Sequence, residues 1–262
     1  MGRGRLGSQQ GVQRTLAARQ PAAAAVSVSP ADAIRESLRN NGTMDLAAFN
    51  KLSDDDMADI LTEKSKAFGH NIFLVSDEPY RDIAFDGRKV PYPAAFYPHT
   101  LTCFSFSKSL SLPGERLGYV AVRPGCEGEE LLVDMMAQIS RFTGHNCPPS
   151  IIQRAVAQCL DVTSDLSVYE TNMNLLYDKL TELGFEVERP GGTFYIFPKA
   201  LEEDANAFCL KAREFDLLLV PSDTFGVKGY VRFAYCIDTE KVERSLPALE
   251  KLAAAYKTSQ SR

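Results

Sequence analysis

Ser105-Phe106-Ser107-Lys108, followed by Arg116-Leu117-Gly118 with its arginine eight residues beyond the lysine, is the stretch that decides the fold. It comes directly after the apolar run at residues 101–104, which is typical of a strand buried on both faces of a parallel sheet. Ligands of open α/β sheets bind at the carboxyl ends of strands, where this lysine is expected. A lysine whose cation is disfavoured there by burial or a nearby arginine can attack a carbonyl. The sequence therefore predicts a ligand site around Lys108.

A carboxylate follows another apolar run, at residues 72–75. Asp77 and Tyr80 lie in Ser76-Asp77-Glu78-Pro79-Tyr80, immediately after that run. Because parallel strands end at one edge of a sheet, we expect Asp77 to lie near Lys108. A carboxylate and an arginine at such an edge suit a cofactor with a basic ring nitrogen and a phosphate. The carboxylate keeps the nitrogen protonated, and the arginine binds the phosphate oxygens.

Two arginines belong to this pattern. Arg116 lies eight residues after the lysine, and Arg232 lies far downstream in a strand predicted at residues 230–235. Each polar residue alone has an ordinary structural interpretation. Asp77 can cap a turn, Lys108 can be exposed in a serine-rich loop, and Arg232 can pair with a surface acid. It is their joint spacing that indicates an enzyme.

Apolar periodicity predicts a sheet domain, a long connecting helix and a smaller α+β domain. A helix is expected to begin at Ser53, where a capping hydroxyl precedes three aspartates, and to end at Gly69. Buried strands are predicted at residues 72–75, 101–104 and 119–122, and helices at 131–142, 151–160 and 166–183. The last third is predicted to have strands at residues 185–188, 193–197, 217–220 and 230–235. It is also predicted to have two helices. The apolar face of the first is Ala205, Phe208, Cys209 and Ala212, and that of the second is Val242, Leu246, Leu249 and Leu252. The predicted division is an atypical or poorly ordered start at 1–43, a sheet domain at 44–165 and a small domain at 166–262.

Composition argues against several classes of function. The net charge is −5, with no long basic run, so nucleic acid is not an expected partner. The sequence contains no apolar run long enough to span a bilayer, and we expect no membrane partner. Its six cysteines are scattered without Cys-x-x-Cys pairs, as in reduced cytoplasmic proteins, and its three histidines lack metal-ligand spacing. The first thirty residues are arginine-rich and acid-poor, and we expect a disordered start rather than a transit peptide.

Taken together, these motifs resemble the class I/II aminotransferases of pyridoxal-phosphate fold type I, in the aspartate aminotransferase superfamily. That family has the lysine motif, the Arg-aliphatic-Gly motif and the upstream Asp-x-x-Tyr at the spacing found here. Pro190-Gly191-Gly192-Thr193-Phe194-Tyr195 and Pro221-Ser222-Asp223-Thr224-Phe225-Gly226 resemble its small-domain loops. The resemblance covers about residues 53–257. It implies an α/β fold: an incomplete three-layer large domain with a mostly parallel sheet, then a smaller C-terminal α+β domain.

The resemblance also implies a role for each residue. Lys108 would bond covalently to pyridoxal 5'-phosphate and later move the proton. Asp77 would keep the ring nitrogen protonated, Tyr80 would donate to the phenolate oxygen, and Arg232 would bind the substrate α-carboxylate. Phosphate contacts are implied for Ser105, Ser107 and Arg116. The implied reaction is amino-group transfer between an L-amino acid and a 2-oxo acid, in a cytoplasmic homodimer.

The family carries further cofactor contacts upstream, including an Asn-Pro-(Thr/Ser)-Gly segment, for which residues 1–52 show no counterpart. We therefore expect an N-terminally truncated family member with impaired or lost activity. One alternative is a non-catalytic remnant that binds partners through surface that the missing half once covered. A narrower alternative keeps the cofactor but makes the chain a carbon–sulfur lyase or a cyclopropane-forming synthase.

Overall fold

The structure, a computed structural model, describes residues 52–260, and the prediction for residues 1–43 lies outside them. These residues divide into two compact units. The first holds the described residues through Asp82 together with Lys89–Ser164, and the second holds Ile83–Arg88 together with the chain from Asp165 onward.

The first unit opens on a capped helix, as predicted. Helix α1 spans Asp54–Phe68. The Ser53 hydroxyl accepts a hydrogen bond from the Asp56 N–H at 3.1 Å, and the Asp56 carboxylate accepts one from the Ser53 N–H at 3.2 Å. This reciprocal pair satisfies N–H groups that the helix itself cannot, and Gly69 ends the helix in the left-handed conformation.

A three-stranded sheet follows, with β1 at Leu74–Asp77, β2 at Thr100–Ser105 and β3 at Gly118–Val122, in the order β1-β2-β3. Strands β1 and β2 are parallel, with Asp77 opposite Cys103. Strand β3 is antiparallel to β2, because the short connection between them turns the chain back beside the strand it has just left. The prediction that each strand is buried on both faces is wrong within the described residues, since Val75 is 50% exposed.

The helices of the first unit are α2 at Pro93–Phe96, α3 at Phe106–Ser109, α4 at Glu129–Phe142 and α5 at Ser150–Val156, with a 3-10 turn at Pro113–Glu115. Helix α4 begins two residues before its predicted start. Helix α5 is shorter than predicted, because the Cys159 N–H bonds to Val156 three residues back and tightens the chain out of the α pattern.

In the second unit, α6 at Leu166–Leu183, α7 at Ala205–Arg213 and α8 at Thr239–Gln260 confirm the predicted helices. A small antiparallel sheet has the order β4-β6-β5, with β4 at Tyr195–Ile196, β5 at Val220–Pro221 and β6 at Val231–Ala234. The predicted strand at residues 185–188 does not form, although the Lys199 N–H donates to the Glu186 carbonyl at 2.8 Å. The buried Asn172 amide joins α6 to the end of β6 by donating to Tyr235 and Ile237 carbonyls at 3.0 and 2.7 Å.

Residues Ile83–Arg88 pack as part of the second unit, against the adjacent glycines Gly191 and Gly192. The Thr193 N–H donates to the Ile83 carbonyl at 2.8 Å, and the Phe85 N–H donates to the Gly191 carbonyl at 3.0 Å. A Cβ at Gly192 would lie 2.4 Å from the Ile83 oxygen, so only glycine permits this approach. No helix in the described part of the chain has both the length and the apolar character needed to cross a membrane.

Candidate active site

The lysine lies on a short helix that starts where the central strand of the first unit stops. Ser105 ends β2 and caps α3, its hydroxyl accepting a hydrogen bond from the Ser107 N–H at 3.3 Å. Lys108 therefore projects from the first turn beyond the carboxyl end of β2. Polar side chains at such an end face the space where α/β sheets bind ligands.

Tyr80 and Asp77 come to the same edge of the sheet. Asp77 is the last residue of β1, and its parallel partner Cys103 precedes Ser105 by two residues on β2. The Lys108 Nζ lies 5.6 Å from the centroid of the Tyr80 ring. The structure thus places Asp77, Tyr80, Lys108 and the capping serine at the end of two neighbouring parallel strands.

Asp77 is half-buried, and burial raises the pKa of its carboxyl above the ordinary value. The same burial, together with the charge of Asp77, raises the pKa of the neighbouring Cys103 thiol. A half-buried carboxylate is stabilised when a cation approaches it. This edge of the sheet is therefore suited to a ligand that brings a positive charge to Asp77.

Arg116 and Gly118 serve different purposes in the loop after the lysine. Arg116 is exposed, ends the 3-10 turn with a positive φ of 52°, and donates from Nη1 to the Pro113 carbonyl at 2.7 Å. Gly118 lies opposite Ser105 in the β2–β3 pair. A Cβ at Gly118 would lie 2.4 Å from the Phe104 carbonyl oxygen, so the glycine lets β3 pass directly beside the strand end that carries the lysine helix.

Arg232 belongs to the second unit, on β6 and opposite Val220 of β5. Its Cζ lies 4.4 Å from the Tyr195 ring centroid and 4.6 Å from that of Phe225. Two aromatic faces hold the guanidinium without using its N–H groups, which remain suited to a planar anion such as a carboxylate.

Sequence reasoning gave no role to Tyr195 and Phe225, or to Glu78 and Arg81, which form an ion pair on either side of Tyr80. The rings lie in the two loops that resemble the small-domain loops of the family, and they could have been found there as aromatic residues near an arginine strand. The ion pair could have been found in the sequence as two opposite charges three residues apart at the Asp-x-x-Tyr motif. No group of His, Cys, Asp and Glu suited to a metal occurs among residues 52–260.

The donor set at the lysine fits pyridoxal phosphate. An amine at Lys108 suits an aldehyde, the Asp77 carboxylate suits a protonated ring nitrogen, and the Tyr80 hydroxyl suits a phenolate oxygen. The hydroxyls of Ser105 and Ser107 and the guanidinium of Arg116 are donor types that bind phosphate. Groups complementary to its aldehyde, ring nitrogen, ring oxygen and phosphate thus occur in the first unit.

Residues 54–249 match the family model described as aminotransferase class I and II. The aromatic-amino-acid aminotransferase 2 of Thermococcus litoralis is 30% identical over 221 residues, which cover 79% of this chain and 54% of the relative. The aspartate aminotransferase of Geobacillus stearothermophilus is 30% identical over 216 residues, which cover 74% of this chain and 53% of that one.

Solved structures give the same result. An amino transferase from Eubacterium rectale is 45% identical with a TM-score of 0.74, covering 78% of this chain and 51% of that one. The Thermus thermophilus aspartate aminotransferase with maleate is 26% identical with a TM-score of 0.66, covering 76% of this chain and 51% of that one. The chain thus spans about half the length of the relatives it matches. With its fold, its motif order and these matches together, the chain belongs to the class I and II aminotransferase family.

Proposed function

We propose that this chain carries the lysine and carboxylate-binding residues of a pyridoxal-phosphate-dependent aminotransferase, which moves an amino group between an L-amino acid and a 2-oxo acid. The observation that carries the proposal is the Lys108 amine 5.6 Å from the Tyr80 ring, at the strand edge where Asp77 also ends. The family membership of residues 54–249 supports it independently.

Pyridoxal phosphate, when bound, supplies an electron sink for the bonds at the substrate Cα. Lys108 would hold the aldehyde carbon through Nζ and, once released, would move a proton at the substrate as a free amine. Asp77 would stabilise positive charge on the ring nitrogen, and that charge would in turn favour the ionised Asp77. Tyr80 would donate its hydroxyl hydrogen to the ring oxygen. The phosphate would be bound by Ser105, Ser107 and Arg116.

Arg232 would orient the substrate. A guanidinium binds a carboxylate through two parallel N–H donors, which fixes the rotation of the bound acid as well as its position. The Tyr195 and Phe225 faces limit the movement of that guanidinium. We therefore propose α-amino acids and 2-oxo acids as the substrate class.

The assembly and the location are further proposals. We propose a homodimer, to be tested by sedimentation equilibrium with and without cofactor. We also propose the cytoplasm, because Cys103, Cys126, Cys147, Cys159 and Cys209 are thiols outside any disulfide in the structure. A protein purified from cells with these thiols oxidised in pairs would contradict that location.

A second candidate function is a non-catalytic binding protein, and α4 favours it. None of the residues of this 14-residue helix is buried. Five of its apolar side chains are between 50% and 90% exposed: Leu131, Val133, Met135, Ile139 and Phe142. An apolar face of this kind marks a surface that another polypeptide covers.

The first experiment distinguishes these functions. The purified chain is mixed with pyridoxal phosphate, reduced with borohydride to fix any lysine–aldehyde bond, and digested for mass spectrometry. We expect selective modification of Lys108, lost in Lys108→Ala and kept in Lys66→Ala, which removes an exposed lysine on α1. Diffuse modification of many lysines, or none, would contradict the enzyme and favour the binding protein. Conversion of an amino acid with release of ammonia and no aminated acceptor would indicate a lyase instead.

A further inference from the structure

An ion pair with a buried carboxylate spans the turn that carries Tyr80. Glu78 and Arg81 are the first and last residues of the turn, which the Arg81 N–H closes by donating to the Glu78 carbonyl at 3.2 Å. Pro79 occupies the second position, where its fixed φ is favoured, and Tyr80 occupies the third. Across this turn the Glu78 carboxylate pairs with the Arg81 guanidinium, and the Glu78 side chain is only 7% exposed.

Arg81 also fixes the turn to residues that follow it in the first unit. Its Nη1 donates to the Val90 carbonyl at 3.3 Å, and its Cζ lies 4.6 Å from the centroid of the Tyr92 ring. Burial lowers the pKa of Arg81 from its ordinary value, although an arginine still keeps its charge. Three partners thus hold this cation in one place.

Glu78 fixes the other end of the turn to the sheet. Its N–H donates to the Cys103 carbonyl at 2.8 Å, directly beyond the pairing of Asp77 with Cys103. Tyr80 therefore lies between two anchored ends, with its ring 5.6 Å from the Lys108 Nζ. Because removal of one partner leaves a buried charge uncompensated, a change at either end would release the turn.

We propose that Glu78 and Arg81 are positioning residues for Tyr80, whose ring their ion pair holds beside the Lys108 amine. This inference rests on the proposed function, in which Tyr80 and Lys108 act on one cofactor ring. In this role Glu78 and Arg81 would act through Tyr80 and not by touching the substrate. The competing role is that of a pair which stabilises the fold and nothing else.

Single and double variants separate the two roles. Glu78→Gln leaves the partly buried Arg81 cation without its ion-pair partner, and Arg81→Met does the same to the buried Glu78 carboxylate. Each is expected to lower the thermal unfolding midpoint of the cofactor-free chain. The double variant leaves no unpaired charge and is expected to recover most of that midpoint. The matched control is the exposed i,i+3 pair of Asp238 and Lys241, which are 2.8 Å apart. Its double variant, Asp238→Asn with Lys241→Met, is expected to change neither the midpoint nor the signal of Tyr80.

The positioning readout requires no cofactor. The chain is labelled with 3-fluorotyrosine, and the Tyr80 resonance is identified among those of the ten tyrosines by its loss in Tyr80→Phe. In the Glu78→Gln/Arg81→Met double variant, we expect this resonance to move or broaden although the unfolding midpoint has recovered. The resonance of Tyr235, buried in the second unit, should stay in place. A Tyr80 resonance that returns to the wild-type position whenever the midpoint recovers would overturn the proposal.

A second readout is the pH titration of the visible absorbance of bound pyridoxal phosphate. The double variant is expected to shift the titration midpoint in the same direction as Tyr80→Phe, and at least half as far. A shift in Tyr80→Phe with none in the double variant contradicts the positioning role. If the wild-type chain is not labelled at Lys108 by borohydride trapping, the proposed function fails, and the fluorine spectrum still decides whether the pair positions Tyr80.

Discussion

Gly118→Ala tests whether the close approach of β3 to β2 is needed to form the end of β2 that carries Lys108. A Cβ at this position would lie 2.4 Å from the Phe104 carbonyl oxygen and 3.1 Å from both Cα and Cβ of Ser105. Ordinary contacts of a Cβ begin at 3.4 Å, so the overlap with the oxygen is about 1 Å. The overlapping atom is backbone and cannot rotate away. The strands must separate instead.

The loss in the free energy of unfolding depends on the contacts that this separation breaks. The Phe106 N–H donates to the Leu117 carbonyl at 3.1 Å, beside the overlap, and this bond would be lengthened or lost. A lost hydrogen bond costs about 1 kcal/mol, and overpacking costs about 1–3 kcal/mol. We therefore expect Gly118→Ala to lower the free energy of unfolding by about 2–4 kcal/mol. For a chain of this size, that loss lowers the melting temperature by roughly 5–15 °C.

Gly114→Ala is the matched control, because Gly114 lies in the same loop and a Cβ there meets no atom within 4 Å. We expect it to change the free energy of unfolding by less than about 0.5 kcal/mol. Urea unfolding and calorimetry of the cofactor-free chains measure both variants, and borohydride trapping measures labelling of Lys108. If Gly118→Ala were as stable as Gly114→Ala, the steric reasoning would be refuted.

Two further predictions concern charged groups of the site. Burial raises the pKa of Asp77 in the folded state. The contribution of this carboxyl group to the free energy of unfolding is therefore fully present below the unfolded-state pKa, and it is lost as pH rises through the raised folded-state pKa. Asp77→Asn should therefore gain stability relative to wild type as pH rises from about 4 to 8, in urea unfolding of the cofactor-free chain, and an opposite slope would contradict the burial argument. Phe225→Leu removes one ring from Arg232, a loss of about 1 kcal/mol, and should raise the amino acid concentration for half-saturation about fivefold. Cofactor labelling of Lys108 should be unchanged in that variant, and an unchanged half-saturation would remove the ring from the proposed carboxylate site.

Local signals in the sequence were sufficient where a single element decides the outcome. Ser53 and the aspartates after it fix the start of α1 through hydrogen bonds within one turn. Gly184 ends α6 in the left-handed conformation for an equally local reason. The apolar face of α7 was predictable because the 3.6-residue period alone places Phe208 and Ala212 on one side, and both are buried.

Properties that depend on a distant partner were not predictable in the same way. The apolar composition of residues 119–122 indicates a strand, but it contains nothing about direction, and β3 proved to be antiparallel. The exposure of Val75 depends on what lies against the sheet and not on the strand itself. The predicted strand at residues 185–188 has the right residue types but forms no ladder with any strand that the structure describes, and a strand needs one.

The candidate site likewise contains some residues that local sequence predicts and others whose placement depends on distant parts of the chain. Asp77 and Lys108 were predicted at strand ends because a polar residue directly after an apolar run has one natural place in an α/β sheet. Tyr195 and Phe225 come to Arg232 only through β4, β6 and the 3-10 turn Ser222–Phe225 after β5, so no single run of sequence contains their arrangement. The Glu78–Arg81 pair lies between these cases: its spacing was visible around Tyr80, but its importance depends on burial, which converts an ordinary surface pair into a charge that must stay compensated. For this chain, spacing indicates the candidate site residues, and burial indicates the pair that we propose holds one of them in place.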